Sequence, residues 1–382
     1  MKNSRQSIEK FKAGHFEKGM NYKYFVPSNI NHFWVWEDGT INALLEKAYV
    51  KLGELNSYAR LVPSTDLYIQ LHVTKEAVES SKIEGTRTQI DEALLPEDEI
   101  QPERRSDWIE VNNYVRALYG AVRQLDKLPL SSRLLCQAHK ILMNGVRGNN
   151  KLPGEYRTSQ NWIGGATLSE AVFIPPAAHY VHPLIGDLEN FLHNDDVEVP
   201  ALIRIGIAHY QYETIHPFLD GNGRIGRLLI PLFLISTGIL KKPLLYLSVY
   251  FEKNRSLYYE NLRRVSERNE LVNWLKFFLT GVIETATNGA KTLDAVLELK
   301  VGLEKEILTD IGRRQASGQK LLEHLFHNPV INIKKVEEVC QLSTKAANDL
   351  VRIFEERKWL VQENSSVRFR WFVFEPYISL FK

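Results

Sequence analysis

Residues 216–227 read His216-Pro217-Phe218-Leu219-Asp220-Gly221-Asn222-Gly223-Arg224-Ile225-Gly226-Arg227, and the rest of the 382-residue chain is organised around them. They place a titratable base, a carboxylate, a glycine-flanked turn and two guanidiniums just ahead of an apolar run, 228–235, that reads as a helix. Imidazole titrates near neutral pH, so His216 is a candidate general base. Asp220 offers hard oxygens of the kind magnesium takes when it also holds substrate phosphates. Gly221 and Gly223 lack Cβ atoms and let backbone N–H groups approach a ligand, and an anion at a helix start gains from unpaired amides and the dipole. Arg224 and Arg227 are three apart, so a helix puts them on one face, where planar forks grip successive phosphates. Asn222, between the glycines, has an amide able to donate to a phosphate oxygen. Taken singly, each fragment is an ordinary turn, a packed imidazole or surface charge. Their joint spacing points to a nucleotide polyphosphate.

The stretch resembles the signature of Fic-domain proteins, His-x-Phe-x-Asp/Glu-Gly-Asn-Gly-Arg-x-x-Arg, at every defining position. Residues 134–148 (LLCQAHKILMNGVRG), 153–162 (PGEYRTSQNW), 173–176 (FIPP) and 208–215 (AHYQYETI) resemble the family's flanking pattern, which extends the likeness over about residues 1–300. The resemblance implies AMP transfer from ATP to a Tyr, Thr or Ser hydroxyl of a target protein. It makes His216 the base and Asp220 the holder of Mg2+. It places ATP on Gly221, Asn222, Gly223, Arg224, Ile225, Gly226 and Arg227, with the two arginines on the β- and γ-phosphates. Phe218 reads as a core anchor for the loop. Relatives that phosphorylate carry Lys where this chain has Gly223, so the glycine favours adenylylation; phosphocholine transfer is also known in the family.

Upstream, residues 64–81 read as a helix, with Ser64, Thr65 and Asp66 as a capping cluster and Leu67, Leu71, Thr74 and Val78 on one face. Gly85 is its stop. Alone, Glu84 is an acid at the unfavourable end of a helix dipole. However, Ser80-x-x-x-Glu84-Gly85 resembles the family's inhibitory motif, which implies that Glu84 pairs with Arg227 and keeps the γ-phosphate from it, in cis. The same glutamate could instead orient water to remove AMP from a modified target.

Residues 158–162 and 171–174 flank Gly164 and Gly165 and read as a β-hairpin closed off by Pro175 and Pro176. By resemblance it is the flap that takes up a target segment by strand addition. Tyr258 and Tyr259 lie in a helical run, 253–265, that resembles the adenine side of the pocket, and Tyr258 is assigned to the nucleotide. His209 reads as a structural residue, and His179 and His182, near the flap, face either the target or solvent.

Beyond a helical stretch at 282–311, residues 313–318 (RRQASG) read as a linker. Helices beginning at 321–326, at 336–340 and, capped by Ser343-Thr344, at 346–357 precede strands at 359–362 and 368–374. The order resembles a winged helix-turn-helix. The third helix mixes Asp349, Glu355 and Glu356 with Lys345, Arg352, Arg357 and Lys358. That favours protein docking or dimer packing over DNA, although Arg368 and Arg370 in the wing keep DNA contact open.

The expected fold is therefore mainly α: an N-terminal helical region (1–120) bearing the inhibitory helix, a Fic helical core with a β-hairpin flap (121–300), and a linker with a winged helix-turn-helix (301–382). Lys plus Arg number 48 against 46 Asp plus Glu, so a net charge of +2 exerts no global pull toward nucleic acid or membrane. No long apolar span or signal-peptide core is present, which makes a cytoplasmic protein the expectation, homodimeric or self-modifying by analogy. Cys136 and Cys340 read as packed thiols. Two other functions compete with AMP transfer: an eraser of AMP marks using the same pocket, and a DNA-binding regulator whose core senses nucleotide.

Overall fold

The computed structural model describes residues 5–61, 65–146, 151–363 and 370–382, with side chains throughout except at 59–61, 65–68 and 310. The Ser64 cap, the side chains of Thr65, Asp66 and Leu67, the last residues of 134–148, the turn at 364–366 and Arg368 lie outside it.

Residues 5–35, expected within a helical region, are instead four short strands. β1 (Arg5–Ser7) will pair with a later strand, while β2 (Gly14–Lys18) and β3 (Lys23–Pro27) form an antiparallel hairpin. β4 (Phe33–Val35) runs parallel to β1. The run Tyr24-Phe25-Val26 explains the difference, because aromatic and β-branched side chains fit a half-buried pleated surface, and all three are buried.

The helices follow as α1 (Gly39–Leu61), α2 (Thr65–Ile83), α3 (Ile90–Leu94), α4 (Arg105–Gln124), α5 (Ser132–Leu142) and α6 (Ala178–His193). Then come α7 (Ala201–Ile215), α8 (Asn222–Ser236), α9 (Ser248–Lys253), α10 (Arg255–Arg268) and the 40-residue α11 (Leu271–Asp310). α7 has no polar face: every residue from Leu202 to Ile215 is buried, as befits a helix surrounded by others. α6, α8, α10 and α11 pack around it. Its one arginine, Arg204, stays buried because Nη1 donates to the Phe191 and Asn194 carbonyls at the end of α6, at 2.7 and 3.0 Å. Truncating a core side chain such as Phe278 or Trp274, which pack together here, costs about 3–5 kcal/mol in interiors of this kind.

α12 (Gln315–His327) begins inside the expected linker, so residues 313–318 are not a spacer. Gly318 is buried against Ile307 of α11 and Ile311 just beyond its end, and that apolar contact draws the segment into a helix. β5 (Val330–Asn332), α13 (Ile333–Cys340), α14 (Thr344–Glu356), β6 (Leu360–Gln362), β7 (Trp371–Phe374) and α15 (Glu375–Ile378) complete the chain. β5 adds a strand between the first two helices of this unit. It pairs antiparallel with β7, giving the sheet order β5-β7-β6. Ser343 caps α14 by accepting from the Ala346 amide. Basic groups here meet acids or amides: Arg314 bonds Asp349 at 2.9 Å, and Arg370 bonds Asn348 at 2.7 Å. No helix among the described residues is long and apolar enough to cross a membrane.

Candidate active site

α7 ends at His216, whose φ of 51° lies in the left-handed region, uncommon for a residue with a Cβ. The loop that follows is held from outside. Arg157 Nε donates to the His216 carbonyl at 2.9 Å, Nη2 to those of Pro176 (2.5 Å) and Ile215 (3.3 Å), and Nη1 to that of Ser159 (3.1 Å). Asn161 Nδ2 donates to the carbonyls of His216 and Phe218. The fully buried Phe218 ring stacks on His139 at 3.8 Å, 6° from parallel. The Gly154 amide donates to His139 Nδ1, so the ring proton sits on Nε2, which donates to the Asp220 carbonyl at 2.9 Å. Asn222, read from sequence as a phosphate donor, is a loop clamp: Oδ1 accepts from the Phe218 amide (2.7 Å) and Nδ2 donates to the Phe218 carbonyl (2.8 Å).

These tethers fix the imidazole. His216 Nδ1 lies 3.2 Å from the Glu213 carbonyl, which can only accept, so Nδ1 carries the proton and Nε2 is left as an acceptor. Burial, helped by Arg157, pushes the His216 pKa down to about 4 against the opposing pull of the Glu213 carbonyl, Glu84 and Asp220. The ring is therefore neutral at pH 7.

A cavity of about 790 Å³ opens over this junction. Glu84, His216, Asp220, Gly221, Asn222, Gly223, Arg227, Tyr258, Tyr259 and Leu262 are among the residues that line it. Gly221 precedes α8 with φ 75°, and a Cβ there would press on Met143 and His139. Asp220 is half exposed, its Oδ1 accepting from the Gly221 amide at 2.6 Å. Arg224, Ile225 and Gly226 do not line the cavity. Arg224, expected beside Arg227, is buried with Nη1 on Glu110 of α4 at 3.0 Å and Nη2 3.7 Å from Asp220 Oδ1, so its buried charge is paired within the fold. Ile225 is core, and Gly226 leaves room for the Glu213 carboxyl.

Arg227 is buried yet multiply bonded. Nε donates to Ser80 Oγ at 2.8 Å, and Nη2 donates to the Ser80 carbonyl at 2.9 Å and to Glu84 Oε1 at 2.6 Å. Glu84 reaches it because α2 ends at Ile83 and the chain turns at Gly85, φ 105°, with the Thr86 amide closing back on the Ser81 carbonyl. Burial raises the Glu84 pKa, but the Arg227 charge and hydrogen bond, with Arg224 and His216, outweigh it and hold the carboxyl below its ordinary range. A Cβ on Gly223 would lie 2.3 Å from Glu84 Oε1 and 2.9 Å from Arg227 Nη1, so the glycine is what lets the carboxylate approach α8.

The flap is less regular than the expected hairpin. A single antiparallel bridge joins Ile163 to Phe173, with the Ile163 amide donating at 2.9 Å and the Phe173 amide at 3.1 Å. Gly164 and Gly165, both at φ 72°, turn the chain at once, and the tip is a short 3-10 turn at Leu168–Glu170. The other arm is tied to β3, the Phe25 amide donating to the Ile174 carbonyl. Tyr258 lines the cavity from a buried position, stacked on Phe251 at 4.3 Å with its hydroxyl 2.9 Å from His209 Nε2. Tyr259, 40% exposed, is the more open ring.

Sequence reasoning passed over Arg157, Asn161, His139, Glu110 and Glu213. Arg157 and Asn161 lie in the quoted stretch 153–162, where a polar pair in an otherwise turn-like segment was the available signal. Nothing in sequence links Glu110 to Arg224.

The frame is a mainly helical core around a left-handed histidine and a glycine-opened helix start. Within it, the family model described as Fic/DOC family N-terminal matches residues 42–123, and that of the Fic/DOC family matches residues 129–234. The probable protein adenylyltransferase of Aquifex aeolicus is 30% identical over 314 residues, 78% of this chain and 87% of that protein. The protein adenylyltransferase Fic of Drosophila erecta is 27% identical over 201 residues, 52% of this chain but 36% of that longer protein. A crystal structure of a Fic family protein from Desulfovibrio desulfuricans superposes with a TM-score of 0.57 at 21% identity, covering 88% of this chain and 96% of that one, which bears on the fold alone. The chain belongs to the Fic/DOC family.

Proposed function

We propose that this chain is a protein adenylyltransferase that moves AMP from ATP to a Tyr, Thr or Ser hydroxyl and is held back by its own Glu84. The observation that carries the proposal is the placement of a neutral His216 and an Arg227 already engaged by Glu84 in one cavity. The target hydroxyl oxygen bonds to the α-phosphorus, its proton passes to His216 Nε2, and the bond to the bridging oxygen breaks to release pyrophosphate. Gly221 to Gly223, at the start of α8, would receive charge developing on the α-phosphate. Asp220, a half-exposed carboxylate in the wall, fits Mg2+ shared with substrate phosphates. When bound, Mg2+ would neutralise charge on the leaving pyrophosphate. With Glu84 in place, the Arg227 fork is denied to the γ-phosphate and ATP sits unproductively. The 158–163 arm of the flap, whose partner arm is tied to β3, is the edge we assign to the incoming target strand.

The test is to incubate wild type, Glu84→Gly and Glu84→Gly/His216→Ala with magnesium and ATP labelled on the α-phosphate. Label on protein only in Glu84→Gly supports the proposal. No label in any of them, despite measured ATP binding, turns the assignment toward removal of AMP from modified proteins.

A further inference from the structure

Two guanidiniums from different helices hold the end of α2, which presents Glu84 to Arg227. Arg227 on α8 takes the hydroxyl and carbonyl of Ser80, and Arg255, the first residue of α10, donates from Nη2 to the Ile83 carbonyl at 2.6 Å. Ile83 is the last residue of α2 and directly precedes Glu84. The carbonyls before it are satisfied by the chain itself. That of Ser81 accepts from the Glu84 and Thr86 amides at 3.0 and 3.1 Å, and that of Lys82 from the Gly85 amide at 2.9 Å. Among the described residues no amide bonds the Ile83 carbonyl, and Arg255 is its donor. Arg255 is otherwise badly placed. It opens α10, where the helix dipole disfavours a cation, and no carboxylate among the described residues pairs with it. The same charge meets α2 at its carbonyl end, the end a cation stabilises. Glu84 lies one residue beyond that helix, so its carboxylate is only as fixed as the turn that carries it.

We propose that Arg255 is a positioning residue of the brake: by holding the Ile83 carbonyl it keeps the turn after α2 where Glu84 reaches Arg227. This rests on the adenylyltransferase assignment above, with Glu84 as its brake. Arg255 acts through Glu84. Its loss loosens the turn and returns the Arg227 fork to the γ-phosphate, and that gain exists only while Glu84 is present to be displaced.

The experiment compares initial rates of AMP transfer from α-labelled ATP in wild type, Arg255→Ala, Glu84→Gly and Glu84→Gly/Arg255→Ala. Hydrogen exchange over residues 80–87 is followed without nucleotide in wild type and Arg255→Ala. Arg255→Ala is expected to raise transfer about two- to fivefold over wild type, the worth of a cation at a helix end, and to give no rise in Glu84→Gly. Exchange at the Glu84, Gly85 and Thr86 amides should quicken by a similar factor. An equal rise in both backgrounds would overturn the proposal, because the arginine would then act independently of Glu84. A rate in Arg255→Ala at or below that of wild type would overturn it too, and unchanged exchange would overturn it whatever the rates. Absence of transfer in all four proteins, with faster exchange in Arg255→Ala, would remove the adenylyltransferase assignment and leave Arg255 as the holder of the turn.

Discussion

Oε1 of Glu84 lies 2.6 Å from Nη2 of Arg227, joining the end of α2 to the start of α8 across 143 residues of sequence. A charge-assisted hydrogen bond to a buried guanidinium is of the strong kind, and it occupies a fork that a phosphate would need. Removing it with Glu84→Gly should raise AMP transfer about ten- to a hundredfold, the equivalent of one such bond. Equal initial rates for the two proteins at saturating ATP would discard the brake.

Gly223 is predicted to be coupled to the same pair. Its Cβ would fall 2.3 Å from Glu84 Oε1, so Gly223→Ala should destabilise wild type by about 1–3 kcal/mol through overpacking. In the Glu84→Gly background the obstructing carboxylate is gone and most of that cost should vanish. A double-mutant cycle by urea denaturation reads the difference, and additive effects would contradict the geometry.

The pH profile should reflect the depressed His216 pKa. A base works when deprotonated, and burial lowers this imidazole to about 4, so kcat/KM of Glu84→Gly should hold its plateau well below pH 6.5. The same shift acts on stability. The unfolded chain binds a proton here near pH 6.5 and the folded chain does not until about 4, so stability is lost as pH falls through that window. An acid limb centred on 6.5 would show that the ring titrates as if solvated.

Arg157→Ala should unfold at lower urea, by on the order of 3 kcal/mol, because the carbonyls of Ser159, Pro176, Ile215 and His216 lose their common donor. Arg157→Lys should recover little of this, since an ammonium cannot span that fan of acceptors. A lysine variant as stable as wild type would reduce the arginine to simple charge.

What could be read without coordinates was local or carried by long motifs. The helix-start glycines, the apolar run after Arg227, the stop at Gly85 and the Ser343 cap follow from propensities that act over a few residues. The strands at 5–35 escaped because their pairs are short and lean on one another. β5 escaped because three residues, Val330 to Asn332, become a strand only through β7. Residues 313–318 looked like a linker from composition, but Gly318 is drawn into a helix by Ile307 and Ile311.

By itself, the sequence determined the identities brought together at 216–227 and the helical class of the core, while the pairing of Glu84 with Arg227 came from resemblance to the family's inhibitory motif. Only the tertiary structure decided which arginine faces the cavity, since Arg224 and Arg227 are equivalent by spacing until Glu110 of α4 claims one and Ser80 and Glu84 the other. It likewise decided that Asn222 clamps the loop and that Glu213 Oε1 is buried without a hydrogen-bond partner. Helical periodicity fixes which residues share a face, but the partner that satisfies each polar group comes from elements far away in the chain.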